Sequence, residues 1–73
     1  MKKIIVVEGM DNIPMGSAVS RILEGMGGID KVRLNLEEES VLVEFGRGAL
    51  TEDELCDAIS EEGFEVLEIY DED

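Results

Sequence analysis

A chain of 73 residues carrying 19 acidic against 6 basic side chains, a formal charge of −13, with one cysteine and no histidine, has room for one domain near the lower size at which a core folds without staples. That balance excludes nucleic acid and anionic membrane as natural partners and suits a basic protein, a cation or a salty cytoplasm. The inventory leaves no intrachain disulfide, no histidine dyad and no intramolecular zinc site, while 44% hydrophobic residues are too many for a disordered chain.

The opening KKIIVVEG is too short for a signal peptide or a span, so the expectation is a soluble, cytoplasmic protein without membrane insertion. Ile4 to Val7 form a β-branched run closed by Gly9, a strand with apolar groups on both faces and hence central in its sheet. After the loop GMDNIPMGSAV, residues Ala18, Val19, Ile22, Leu23 and Met26 recur at helical spacing, predicting a helix over about residues 15–26, stopped by Gly27-Gly28. Asn12 and Pro14 suit its start, the Asx side chain as cap and the proline in the first turn.

From Asp30 the period becomes two: Val32, Leu34 and Leu36 alternate with polar residues, Glu37 to Glu39 turn the chain, and Val41, Val43 and Phe45 return it. This is an antiparallel hairpin with its apolar sets on one face. Thr51 and Glu54 make a capping box, with Glu52 and Asp53 at the positive end of the helix dipole, and Leu55, Ala58 and Ile59 supply the buried stripe. Gly63 ends that helix, and Phe64 to Tyr70 form a last strand. The order βαββαβ with right-handed crossovers predicts an α+β fold, a ferredoxin-like sandwich over residues 1–73. Its four-stranded antiparallel sheet has strand order 4-1-3-2, with both helices on one face.

The segments VEGM, VSRILEGMGGIDKVRLNLEEESVLVEF and LCDAISEEGFEV resemble the heavy-metal-associated domain of copper chaperones and of the N-terminal modules of metal-transporting ATPases. The likeness covers nearly the whole chain. The family pattern runs Gly-Met, one residue, CxxC at the opening of the first helix, then "GV" with an alternating strand, and closes on "GY/GF-x-V". Gly9-Met10, Gly28-Ile29, Val32 to Leu36 and Gly63 to Val66 match it. Aligned through Val19-Ser20-Arg21-Ile22, the two cysteine positions fall on Met15 and Ala18, after a loop about three residues longer than the family's.

Two thiolates three residues apart at a helix start suit Cu(I), a soft ion whose ligands the helix N-terminus helps deprotonate, and this chain has neither. The remaining soft donors there are the thioethers of Met10 and Met15, a degenerate Cu(I) site; against it, the resemblance places Met10 in the core, and thioethers fill gaps well. Asp11 and Asn12 offer oxygen donors, with helix capping as the simpler role. Cys56 reads as a small, partly buried hydrophobe. Glu52, Asp53, Glu54 and Asp57 read as a solvated face, and nothing beside them splits their pKa values for acid–base catalysis, so no enzyme is expected.

If Ile5 and Val7 face the helices, as the resemblance implies, then Ile4 and Val6 lie on the open face of the sheet with Leu42 and one of Leu67 or Ile69. Such a patch suits a homodimer or a docked partner. Two functions follow. One is a non-enzymatic copper-chaperone-like module whose thiolate site is lost or altered, docking on a metal-transport partner or another basic protein surface. The other is a metal-independent, ferredoxin-like oligomerisation or regulatory binding module.

Overall fold

The structure, a computed structural model, describes residues 1–72. The β-branched run forms β1 (Lys2–Val7), and it lies inside the sheet with β3 (Ser40–Phe45) on one side and β4 (Val66–Asp71) on the other; β2 (Ile29–Asn35) pairs with the far edge of β3. The order β2-β3-β1-β4, read from the opposite edge, is 4-1-3-2, and every neighbouring pair is antiparallel. With α1 (Ile13–Glu24) after β1 and α2 (Glu52–Glu61) after β3, the chain is βαββαβ, the ferredoxin-like α+β sandwich. The helices pack on each other, α1 also on β2 and α2 on β4. Neither helix is long and apolar enough to cross a membrane.

One side of the sheet is sealed by the helices. Ile5 and Val7 of β1 and Val41, Val43 and Phe45 of β3 meet Met10, Val19, Leu23, Leu55 and Ile59, all essentially without solvent exposure. Each such side chain contributes about 2 kcal/mol by leaving water, before the entropy of ordering the chain opposes it. Val32 lies opposite Val43 and Leu34 opposite Val41, so the period-two sets share the helix side as expected.

β4 departs from simple alternation. Val7 pairs with Val66 but Val6 pairs with Glu68, so Leu67 is the extra residue of a β-bulge and the side-chain phase shifts after it. Ile69 therefore stands opposite Ile5 and packs against the core. This corrects Ile69 as one of the two alternatives for the open face: the residue beside Ile4 there is Tyr70. Leu67 stays 54% exposed.

α1 runs from Ile13 to Glu24, about two residues earlier at each end than the apolar spacing predicts. Asn12 has extended backbone angles (φ −140, ψ 163) and its side chain caps the helix. Pro14 follows in the first turn, where the missing N–H leaves no bond unmade. At the other end the N–H groups of Gly25 and Met26 close the helix on the carbonyls of Arg21 and Leu23 respectively, and Met26 reaches the core from beyond the helix. α2 begins with the expected capping box: Thr51 Oγ1 accepts from Glu54 N–H at 3.2 Å, and Glu54 Oε1 accepts from Thr51 N–H at 3.1 Å.

Lys3 ties this layer together. It is 8% exposed, and its ammonium lies 2.6 Å from Glu52 Oε2 at the start of α2 and also pairs with Asp71 at the end of β4.

Candidate functional site

The loop between β1 and α1 is short and held at both ends. Gly9 takes φ +81, a backbone conformation that side-chain-bearing residues avoid. Its N–H donates to Glu39 Oε1 at 2.8 Å, and Met10 N–H donates to Val7 O at 3.3 Å. The turn drives Met10 into the core, where it has no exposed surface. A metal at that sulfur would have to enter the packed interior. Met15, in the first turn of α1, is half-buried and packs against the same core.

Between the two methionines lies the residue that the expected alignment passes over. Asn12 is exposed, and its Oδ1 accepts a hydrogen bond from Met15 N–H at 3.0 Å, while its backbone oxygen accepts from Gly16 N–H at 3.0 Å. The helix starts at Ile13, about two residues before the expected start. Counted without a gap from Gly9-Met10, the pattern of one residue and then CxxC falls on Asp11 and on Asn12-Ile13-Pro14-Met15. Counted this way the cysteine positions fall on Asn12 and Met15, where alignment through Val19-Ser20-Arg21-Ile22 puts them on Met15 and Ala18. The signal was present in the sequence: an Asn three residues before Met15, with Pro14 between, is a helix N-terminus.

The donor set is then an amide and a thioether. The amide oxygen is a hard donor already engaged in capping, and a soft, monovalent copper ion prefers thiolate or thioether sulfur. No group of three or more His, Cys, Asp or Glu side chains is placed to hold a metal ion among the described residues. The single thiol, Cys56, is half-buried on α2. Burial raises its pKa above the ordinary value, and the carboxylates of Glu52, Asp53 and Asp57 push it further up, so it stays a thiol at neutral pH.

Gly16 explains how closely α1 approaches β2. A Cβ there would come within 2.8 Å of Leu36 Cδ2 and 3.1 Å of Leu34 Cδ1, so the absence of a side chain lets the first turn sit against the end of β2.

On the opposite side of the sheet Ile4, Val6 and Leu42 are half-buried. Ile4 stands between Leu42 and Tyr70, and Leu42 between Ile4 and Arg33. A shallow depression there is lined by Ile4, Leu42, Tyr70, Arg33 and the residues of the β2–β3 turn. Of the residues considered for this patch, Ile4, Val6 and Leu42 share it, while of the two β4 alternatives Leu67 sits in the bulge at its margin and Ile69 belongs to the core. Tyr70 and Arg33 complete the face, and only the bulge kept Tyr70 from being read in the alternation.

This architecture is shared with metal-handling proteins. Two curated relatives, the copper chaperone CopZ of two Staphylococcus epidermidis strains, are each 35% identical over 65 residues, covering 89% of this chain and 96% of theirs. A CopZ metallochaperone structure superposes with a TM-score of 0.85 at 30% identity, covering 92% of this chain and 100% of that one. The copper-binding domain of HMA7, a P-type ATPase, superposes with a TM-score of 0.83 at 27% identity, over 96% and 95% of the two chains. No protein-family model matches the chain. The fold and these relatives define a heavy-metal-associated domain. Within that class, the chain belongs to the family of the CopZ copper chaperones.

Proposed function

We propose that residues 1–73 act as one non-enzymatic, cytoplasmic domain in heavy-metal handling, working by protein docking and not by carrying Cu(I) on a thiolate pair. The observation that supports this most is the Asn12–Met15 cap: the two ligand positions of the CxxC pattern hold a hard oxygen, engaged with the backbone, and one half-buried thioether. Met15 is the residue of the pair with an affinity for Cu(I) in its chemistry, and Met10 is the core plug behind it.

The docking surface is the acidic face of α2. Glu52, Asp53, Glu54, Asp57, Glu61 and Glu62 are all exposed on or just after α2, and a face of that charge accelerates and orients encounter with a basic partner. The copper-binding domain of a P-type ATPase among the relatives makes a metal-transport protein the partner of choice. A competition titration tests the metal half of the proposal. The reduced protein takes no Cu(I) from a chelator beyond what a Met15→Ala, Cys56→Ala variant takes; tighter binding that Met15→Ala abolishes would overturn it.

A further inference from the structure

The open face of the sheet is electrically unlike the rest of the molecule. Three rows cross it. One, at the end where β1 begins, runs Lys31, Glu44, Lys2, Glu72 from β2 to the end of β4. The middle row is Arg33, Leu42, Ile4, Tyr70, and the last is Asn35, Ser40, Val6, Glu68. The two edges carry opposite charge, Lys31 and Arg33 on β2 against Glu68 on β4 and Glu72 just past its end, and between them lie the Glu44–Lys2 pair and the apolar groups. Within these rows three basic and three acidic residues balance, so the −13 charge is carried outside them, in part by Glu37 and Glu38 at the margin of the face.

We propose that this face pairs with the same face of a second copy of the chain, about a twofold axis parallel to the strands. Such an axis lays β2 of one copy over β4 of the other while keeping each row at its own level. Lys31 then faces Glu72 of the second copy and Glu44 faces its Lys2, each contact occurring twice. In the middle row the Arg33 guanidinium meets the Tyr70 ring, a favourable cation–π arrangement, and Leu42 meets Ile4. A twofold axis across the strands would instead set Arg33 on Arg33, which like-charge repulsion disfavours. The helices, with the acidic α2 among them, lie on the other side of the sheet in both copies.

The turn carboxylates Glu37 and Glu38, which border the same depression, approach Glu68 of the second copy, so the pair is held mainly by the other two rows. Four strands about 4.8 Å apart make a small interface, below the ordinary size for a stable complex. The dimer is therefore weak and concentration-dependent. This proposal is independent of whether Met15 binds metal.

Sedimentation equilibrium from micromolar to millimolar protein, in about 0.15 M salt to screen the net charge, tests it. The expected result is a reversible monomer–dimer equilibrium that Leu42→Glu weakens by roughly tenfold or more. Lys2→Glu and Glu44→Lys each weaken it alone. The double swap restores it, because the pair inside the sheet and the pair across the axis are exchanged together. A strict monomer at millimolar concentration overturns the proposal, as does a dimer indifferent to Leu42→Glu or a double swap that fails to restore pairing. Amide shifts that change with concentration on α1 or α2, and not on the sheet face, would also overturn it and do not depend on any variant folding.

Discussion

The side-chain oxygen of Asn12 accepts a hydrogen bond from the backbone N–H of Met15 at 3.0 Å. Those residues occupy the two ends of the four-residue interval that carries the cysteines in the family pattern, and here a helix cap spans it. Replacing Asn12 by Ala removes the acceptor and is expected to lower stability by about 1 kcal/mol in denaturant unfolding, whereas Asp or Ser at that position keeps most of it. An acidic cap also faces the positive end of the helix dipole. No loss in Asn12→Ala would show that the cap does not hold the helix start.

Gly16 separates size from backbone conformation, since its backbone is helical. Its Cβ would press on the methyl groups of Leu36 and Leu34, flexible side-chain ends near the sheet margin. In Gly16→Ala the helix-propensity gain of up to about 1 kcal/mol offsets the crowding, and stability changes little. Gly16→Val adds bulk the leucines cannot clear and is expected to cost about 1–3 kcal/mol. Equal unfolding midpoints for all three proteins would contradict the close approach.

Lys3 gives a pH signature. Hydrogen bonds with Asp71 and then Glu52 raise its pKa above the ordinary 10.5. A lysine whose folded pKa is raised stabilises the fold fully below its unfolded pKa, and that contribution is lost as pH rises through the folded value. The stability advantage of the native protein over Lys3→Met is therefore constant near neutrality and shrinks above about pH 10.5. An advantage independent of pH into that range would mean the contact acts through packing of the lysine stem alone.

Cys56 should be a slow nucleophile. Its raised pKa, from burial and the carboxylates of Glu52, Asp53 and Asp57, places the midpoint of its alkylation rate above the ordinary thiol value of 9.0. Iodoacetamide reacts slowly with the folded protein near pH 7.5 and at the rate of an ordinary thiol once denaturant exposes it. A fast reaction at neutral pH in the folded state would point to an activated thiolate.

Much of the fold is legible because its signals are local. Val41, Val43 and Phe45 alternate cleanly, Thr51 and Glu54 announce α2, and the two-sided β1 run demands a central place. One feature needed the third dimension, and one needed the cap weighed above the apolar spacing. The bulge at Leu67 shifts the phase of β4, which sends Ile69 to the core and Tyr70 to the open face. Ile13 is a 72% exposed apolar residue, so apolar spacing alone starts α1 too late and misaligns the site by one turn. The Asn12 cap corrects that register.

With Asn12 and Met15 in that register no thiolate pair forms at the start of α1, and Cu(I) titration of the reduced protein against a competing chelator tests this most directly. The native protein is expected to leave the copper with the chelator, while Asn12→Cys/Met15→Cys gains a tight site for one ion and Met15→Cys/Ala18→Cys does not match it. Native protein that binds as tightly as Asn12→Cys/Met15→Cys, or a better site from the pair at 15 and 18, would contradict it.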